Sequence, residues 1–269
     1  MISNGHNFNP FIVLFRYRKR LIEGVRHDIR QQYSGSVLGA FWTFIFPLLQ
    51  LSIYAGLYTV VFRVRPSGLT EFGYTLLVFS GLVPLLAFSQ AVVAATNALN
   101  TNKSLLLNTV FPAELIPLRA LLCAQAPMLI GLGLTVIFGY ALGRTGWEAL
   151  ILVPVFWILL IMFAAGIGWI LSLASLIIRD IPHSIGLILM LVTVLSPFAY
   201  TPDMVPEALK FILYVNPLSY YVLSFQKFIA YGVLPDFFPA LMVLILSVGS
   251  FLGGFYMFQR TRYIFFDYA

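Results

Sequence analysis

Residues 26–42 read Arg26-His27-Asp28-Ile29-Arg30-Gln31-Gln32-Tyr33-Ser34-Gly35-Ser36-Val37-Leu38-Gly39-Ala40-Phe41-Trp42. The first half is basic and polar; the second opens a long apolar run. The stretch is therefore a junction, where a water-facing segment passes into a membrane. Arg26 and Arg30 are four apart and share one helix face, with Asp28 on another. Ser34, Gly35, Ser36 and Gly39 are small, which suits a break or a close helix contact.

Composition extends that reading to the whole chain. Of 269 residues, 60% are hydrophobic and only 10% charged, with a mean hydropathy of +0.92. A soluble domain carries about 25% charged residues. Six stretches hold no Asp, Glu, Lys or Arg: residues 31–62, 72–102, 120–143, 149–178, 181–202 and 237–259. Each can supply one bilayer-spanning helix, which needs about 20 apolar residues. The expected fold is an all-α integral membrane protein. It forms a single transmembrane domain over 1–269, with six transmembrane helices within 37–258.

The net charge of +6 does not point to nucleic acid, because six of the 16 Lys and Arg lie between Arg16 and Arg30. A basic cluster just before the first span is the positive-inside pattern. No small-residue cleavage site follows at a suitable distance, so a cleavable signal is not expected. The lone Cys123 excludes an intrachain disulfide and suggests neither metal nor redox chemistry.

Along 8–30, Phe11, Leu14, Phe15, Leu21, Ile22, Val25 and Ile29 recur at threes and fours between basic residues. This is an amphipathic interfacial helix on the anionic cytoplasmic leaflet. Arg18 falls near its apolar face and has to snorkel. The first span covers about 37–62, with Pro47 as a kink, and the second about 74–98. A polar loop follows, carrying Leu105, Leu106 and Leu107, with Pro112 and Pro117 before the third span. A short helix there presents its leucines to the membrane surface or to a groove on a partner protein. Spans three (121–142) and four (150–177) form a hairpin, and Gly166 and Gly168 permit close packing. A tight turn at 179–182 leads to span five (183–200).

Residues 207–215 and 218–231 are each too short to cross. They read as two short re-entrant or interfacial helices between helices five and six, divided by Asn216-Pro217. Span six covers 239–258. Eleven of the 16 Lys and Arg fall on the N-terminal segment, the 2–3 and 4–5 loops and the C-terminal tail. The excess places both termini in the cytoplasm and the re-entrant pair on the outer face.

The chain offers little for catalysis. Its ten acidic residues are scattered, and His6, His27 and His183 are far apart. No predicted span has an ionisable residue near its middle, which argues against proton relays and ion coupling. No Lys follows a Gly, so a phosphate-binding P-loop is excluded; active transport would draw its energy from another subunit. Tyr54, Tyr58 and Phe62 form one stripe at a spacing of four, and Tyr200, Tyr214, Tyr220 and Tyr221 surround the outer segments. These aromatics suit a membrane-interface belt, or a path for sugars, whose C–H faces pack on flat rings.

Three stretches together resemble the membrane subunit of type-2 ABC exporters for polysaccharides, the O-antigen, capsule and teichoic-acid permeases. The first is Arg26-His27-Asp28-Ile29, then Tyr33 and Ser36-Val37-Leu38-Gly39-Ala40-Phe41-Trp42. The second is Ser80-Gly81-Leu82-Val83-Pro84, with Asn97, Phe111-Pro112 and Pro117-Leu118. The third is Arg179-Asp180-Ile181, Ser196-Pro197 to Tyr200, and Asn216-Pro217-Leu218. The family often has an arginine where Gln32 stands, and a charged or polar residue where Pro182 stands.

The resemblance implies a permease that is not itself an enzyme and carries no cofactor. It implies a homodimer with two copies of a separate ABC ATPase, which holds ATP and Mg. It makes 101–108 (Asn102, Lys103, Ser104, Leu105, Leu106, Leu107 and Asn108 within it) a coupling helix on that ATPase. It makes 203–231, with Tyr200, Tyr214, Asn216, Pro217, Tyr220 and Tyr221, an external gate. Tyr54, Tyr58 and Phe62 would line a glycan channel. Arg26 and Arg30 would meet a lipid-linked diphosphate on the cytoplasmic side, or simply anchor membrane lipids. The implied setting is the bacterial inner (plasma) membrane and the substrate a lipid-linked polysaccharide. An exporter of a drug or lipid, and a non-transporting membrane scaffold, are the alternatives.

Overall fold

The computed structural model describes residues 10–57, 69–102 and 112–261. Among them every regular element is helical. Helix α1 is Pro10–Gln32 and α2 is Trp42–Ala55. Helix α3 is Glu71–Thr101, α4 Leu115–Ala141, α5 Ala149–Ile177 and α6 Ile181–Leu195. The short α7 is Phe211–Val215, followed by α8, Pro217–Ala230, and α9, Phe237–Thr261.

Among the described residues, four helices are long and apolar enough to cross a membrane: α3, α4, α5 and α9. The first expected span begins as the shorter apolar helix Gly39–Ala55, and residues 58–62 of it lie outside the described residues. The fifth, expected over 183–200, stops at Leu195 after 15 residues. At about 1.5 Å per residue that is shorter than the hydrocarbon core of about 30 Å. The cause is local. Ser196 precedes Pro197, whose ring disfavours helical backbone on the residue before it, and Ser196 is extended at ψ 143°.

Helix starts carry ordinary chemistry. Thr70 caps α3, its Oγ1 accepting from the Gly73 N–H at 3.1 Å. Helix α4 begins at Leu115, six residues before the expected 121, and takes Pro117 into its first turn. Proline is tolerated there because the first N–H groups have no intrahelical partner. Pro182 opens α6 in the same way. Pro47, Pro84, Pro127 and Pro154 sit inside helices.

Helix α3 is the axis of the bundle, with Leu76, Leu77, Leu82, Ala87, Val92 and Leu99 fully enclosed. Helices α5 and α9 cross at glycines. A Cβ on Gly166 would lie 2.1 Å from the Ser250 carbonyl oxygen, and one on Gly254 would lie 2.2 Å from that of Gly166. Gly168 faces α3, where a Cβ would come 2.6 Å from the Ala95 Cβ. Without a hydrophobic drive between helices in lipid, such close approach supplies the dispersion contacts that hold them. Rings fill the rest of the core. Phe163 stacks on Phe88 at 5.2 Å and on Tyr221 at 5.5 Å between centroids.

Helix α1 lies across the start of α4. Val13 and Leu21 are buried, while Phe11, Phe15 and Ile22 are exposed. Arg18 lies over the Phe15 ring at 4.0 Å and donates to the Phe15 carbonyl, so its place near the apolar face is accommodated by stacking.

Candidate functional site

Two arrangements of polar side chains stand out in the apolar bundle. The first surrounds residues 196–200, where the chain leaves α6. A buried non-helical backbone has carbonyls that no helix satisfies, so they need other donors. Side chains from α8 and α3 satisfy them. Gln226 of α8 donates through Nε2 to the Pro197 carbonyl at 3.1 Å and the Phe198 carbonyl at 3.2 Å. The same nitrogen is 3.4 Å from the Leu77 carbonyl of α3. The Tyr74 hydroxyl donates to the Ala199 carbonyl at 2.8 Å. Asn216 donates through Nδ2 to Ser196 Oγ at 2.8 Å, while its Oδ1 accepts from the Leu218 N–H. Asn216 thus caps α8, with Pro217 at the first helical position.

Gly81 makes this possible. A Cβ there would lie 2.9 Å from Val222 Cγ1, 3.0 Å from Gln226 Nε2 and 3.1 Å from the Phe198 Cα. Gly81, the 196–200 segment and Asn216-Pro217-Leu218 are three of the pieces on which the sequence resemblance rests. They form one contact in space. Gln226, which ties α3 beside Gly81 to the 197–198 backbone, was missed by sequence reasoning. The lone amide of α8, between Phe225 and Lys227, was the available signal.

The aromatics expected at the outer gate divide. Tyr214 is 65% exposed, and Tyr200 is half-buried with its hydroxyl donating to the Leu195 carbonyl at 2.7 Å. Tyr220 is buried and donates to the Tyr214 carbonyl at 2.8 Å. Tyr221 is 1% exposed, its hydroxyl 2.6 Å from Ser247 Oγ of α9. Tyr221 therefore belongs to the core in this conformation. Tyr54 sends its ring edge-on to Phe198, 6.2 Å between centroids, so α2 reaches the same segment. Its stripe partners Tyr58 and Phe62 lie outside the described residues.

The second arrangement joins α1 to α4. Arg119 grips Asp28 through Nε–Oδ2 and Nη2–Oδ1, a two-pronged ion pair between helices. Gly24 gives the arginine room, since a Cβ there would come 3.0 Å from Arg119 Cδ. One turn on, Cys123 Sγ meets Gln32 Oε1 at 3.8 Å. Gly24, Asp28 and Gln32, spaced by four, form the stripe of α1 that faces α4. Arg26 and Arg30 are exposed away from it. Sequence reasoning set Asp28 on its own face but found no partner for it.

Of the expected coupling segment, Asn102 ends α3, with Nδ2 donating to the Ala98 carbonyl at 2.8 Å. Lys103, Ser104, Leu105, Leu106, Leu107 and Asn108 lie outside the described residues. Among the described residues, no three His, Cys, Asp or Glu side chains gather into a metal-binding group.

Known proteins resemble this chain along most of its length. An "O-antigen export system permease protein RfbA" of Myxococcus xanthus is 28% identical over 251 residues, covering 93% of this chain and 95% of the relative. Two proteins of the same description from Klebsiella pneumoniae are 28% and 27% identical, each covering 88% of this chain and 90% of the relative. Residues 24–230 match the family described as "ABC-2 type transporter". That match takes in both polar arrangements, residues 24–32 of α1 and the helices from α2 to α8, so the chain belongs to the ABC-2 type transporter family.

Proposed function

We propose that this chain is the membrane subunit of an ATP-driven exporter that moves a lipid-linked polysaccharide from the cytoplasmic face of a bacterial inner membrane. The observation that carries this reading is the likeness to O-antigen export permeases along 88–93% of the chain. The chain works as a homodimer with two copies of a separate ATPase, which binds ATP and Mg. Both termini lie in the cytoplasm. Helices α2 and α6, with their continuations, serve as the first and fifth of six spans.

Segments 203–215 and 217–230 act as a re-entrant pair at the outer face. The closeness of Tyr221 to Phe163, midway along α5, supports an α8 that starts inside the membrane. The exposed Tyr214 and the half-buried Tyr200 and Tyr54 meet the sugar. Residues 101–108 seat on the ATPase through Leu105, Leu106 and Leu107. Arg26 and Arg30 meet the diphosphate of the lipid carrier, a task suited to exposed guanidiniums.

Depletion of this chain tests the reading. Intact lipid-linked polymer should accumulate on the cytoplasmic face while surface glycan falls. Unchanged surface glycan contradicts polysaccharide export and moves drug or lipid substrates to the front.

A further inference from the structure

We infer that Asp28 and Arg119 are positioning residues, whose ion pair fixes the rotation of α1 so that Arg26 and Arg30 face the incoming anionic headgroup. The role in headgroup contact rests on the export reading above; the joint itself does not.

The geometry is specific. Asp28 stands two residues from both Arg26 and Arg30, so they lie about 200° around the helix from it, at 100° per residue. Holding Asp28 against α4 turns both arginines to the open side, where they are exposed. The remaining grip on α1 is modest. Of its 23 residues only Pro10, Val13 and Leu21 are buried, all upstream of the pair. The last two turns are held by the stripe Gly24, Asp28 and Gln32 against Arg119 and Cys123, with Val25 half-buried against the core beside it.

The pair is partly enclosed, with side-chain exposures of 20% for Arg119 and 30% for Asp28. Removing two such charges from water offsets much of their attraction, so the pair's value lies in fixing register more than in stability. A two-pronged guanidinium–carboxylate contact fixes direction as well as distance. An apolar contact would let α1 roll. Arg119 also sits in the second turn of α4, eight residues beyond Phe111, so α1 and the chain leaving the expected coupling segment share one attachment.

The chain supplies its own probe, since Cys123 is its sole cysteine and is half-buried beside the joint. In the assembled transporter, alkylation of Cys123 by N-ethylmaleimide should be slow. It should quicken by about tenfold in both Asp28→Asn and Arg119→Gln, as loss of the joint uncovers the thiol. Asp28 and Arg119 act on the thiol with opposite sign, so a charge effect alone moves the two variants in opposite directions. Opposite shifts, or no shift, overturn the joint. The double variant Asp28→Asn/Arg119→Gln leaves no unpaired charge to impair folding and should also react fast. The exchange Asp28→Arg/Arg119→Asp should restore slow alkylation.

For transport, the half-saturating concentration of lipid-linked glycan should rise roughly fivefold in the neutral variants at unchanged maximal rate, as charge-assisted contacts are misdirected. The exchange should bring it back. An unchanged half-saturation in a fast-alkylating variant overturns the positioning role. Absence of glycan transport by the natural chain overturns that role together with the export reading, while alkylation still decides the joint.

Discussion

Gln226 shows how much one side chain can organise. Its amide answers two carbonyls of the 196–200 break and touches a third on α3. Replacement by leucine keeps the volume and strands the Pro197 and Phe198 carbonyls, at about 1–3 kcal/mol for each group left without a partner. Gln226→Leu should lower the thermal midpoint of the purified protein by several degrees and reduce export. Tyr221→Phe is the control. Ser247 keeps its bond to the Val243 carbonyl at 2.6 Å, so that change should cost about 1 kcal/mol and leave export intact. Equal stability of Gln226→Leu and the natural chain contradicts the bracing role. Neither Gln226 nor the Asp28–Arg119 pair announced its partners in the sequence. The two charged residues are 91 positions apart, and pairing over such separation leaves no periodic trace.

At the scale of elements, what was legible was what local chemistry dictates. The basic amphipathic pattern over 8–30 corresponds to α1 at Pro10–Gln32. The break at Asn216-Pro217 separates α7 from α8, because asparagine caps and proline opens a helix. The 144–148 hairpin falls between α4 and α5. The end of α6 was less legible: apolar residues continue past Leu195, and hydropathy does not register that Ser196 stands before a proline.

The glycines of span four were legible as close contacts, though not which neighbour each one meets. Gly166 meets α9 backbone and Gly168 meets α3. Gly166→Val should therefore force α5 from α9, since the obstruction is Ser250 backbone, and should cost about 1–3 kcal/mol or more. Gly186, with nothing within 4 Å of its Cβ position, is the comparison site, where alanine should be tolerated. Thermal unfolding in detergent measures both. A Gly166→Val protein as stable as the natural chain contradicts the crossing.

On the scale of the whole molecule, the braced part and the open part are distinct. Helices α3, α5, α8 and α9 share the aromatic core, tied by Gln226, Tyr221 and the glycine crossing. Helices α2 and α6 lie at the margin, with Phe44, Leu49, Ile53, Leu187, Leu191 and Val194 exposed. Under the proposed function the open faces belong to the route and to the second copy, and the braced core stays fixed while they move. The most direct test is transport itself. The chain, assembled with its ATPase subunit in proteoliposomes, is given lipid-linked polysaccharide on the ATP-accessible side. ATP-dependent appearance of that polysaccharide in the lumen, absent without ATP, is the predicted result. Hydrolysis of ATP with no polysaccharide crossing, in vesicles that move a drug or phospholipid instead, would contradict polysaccharide export.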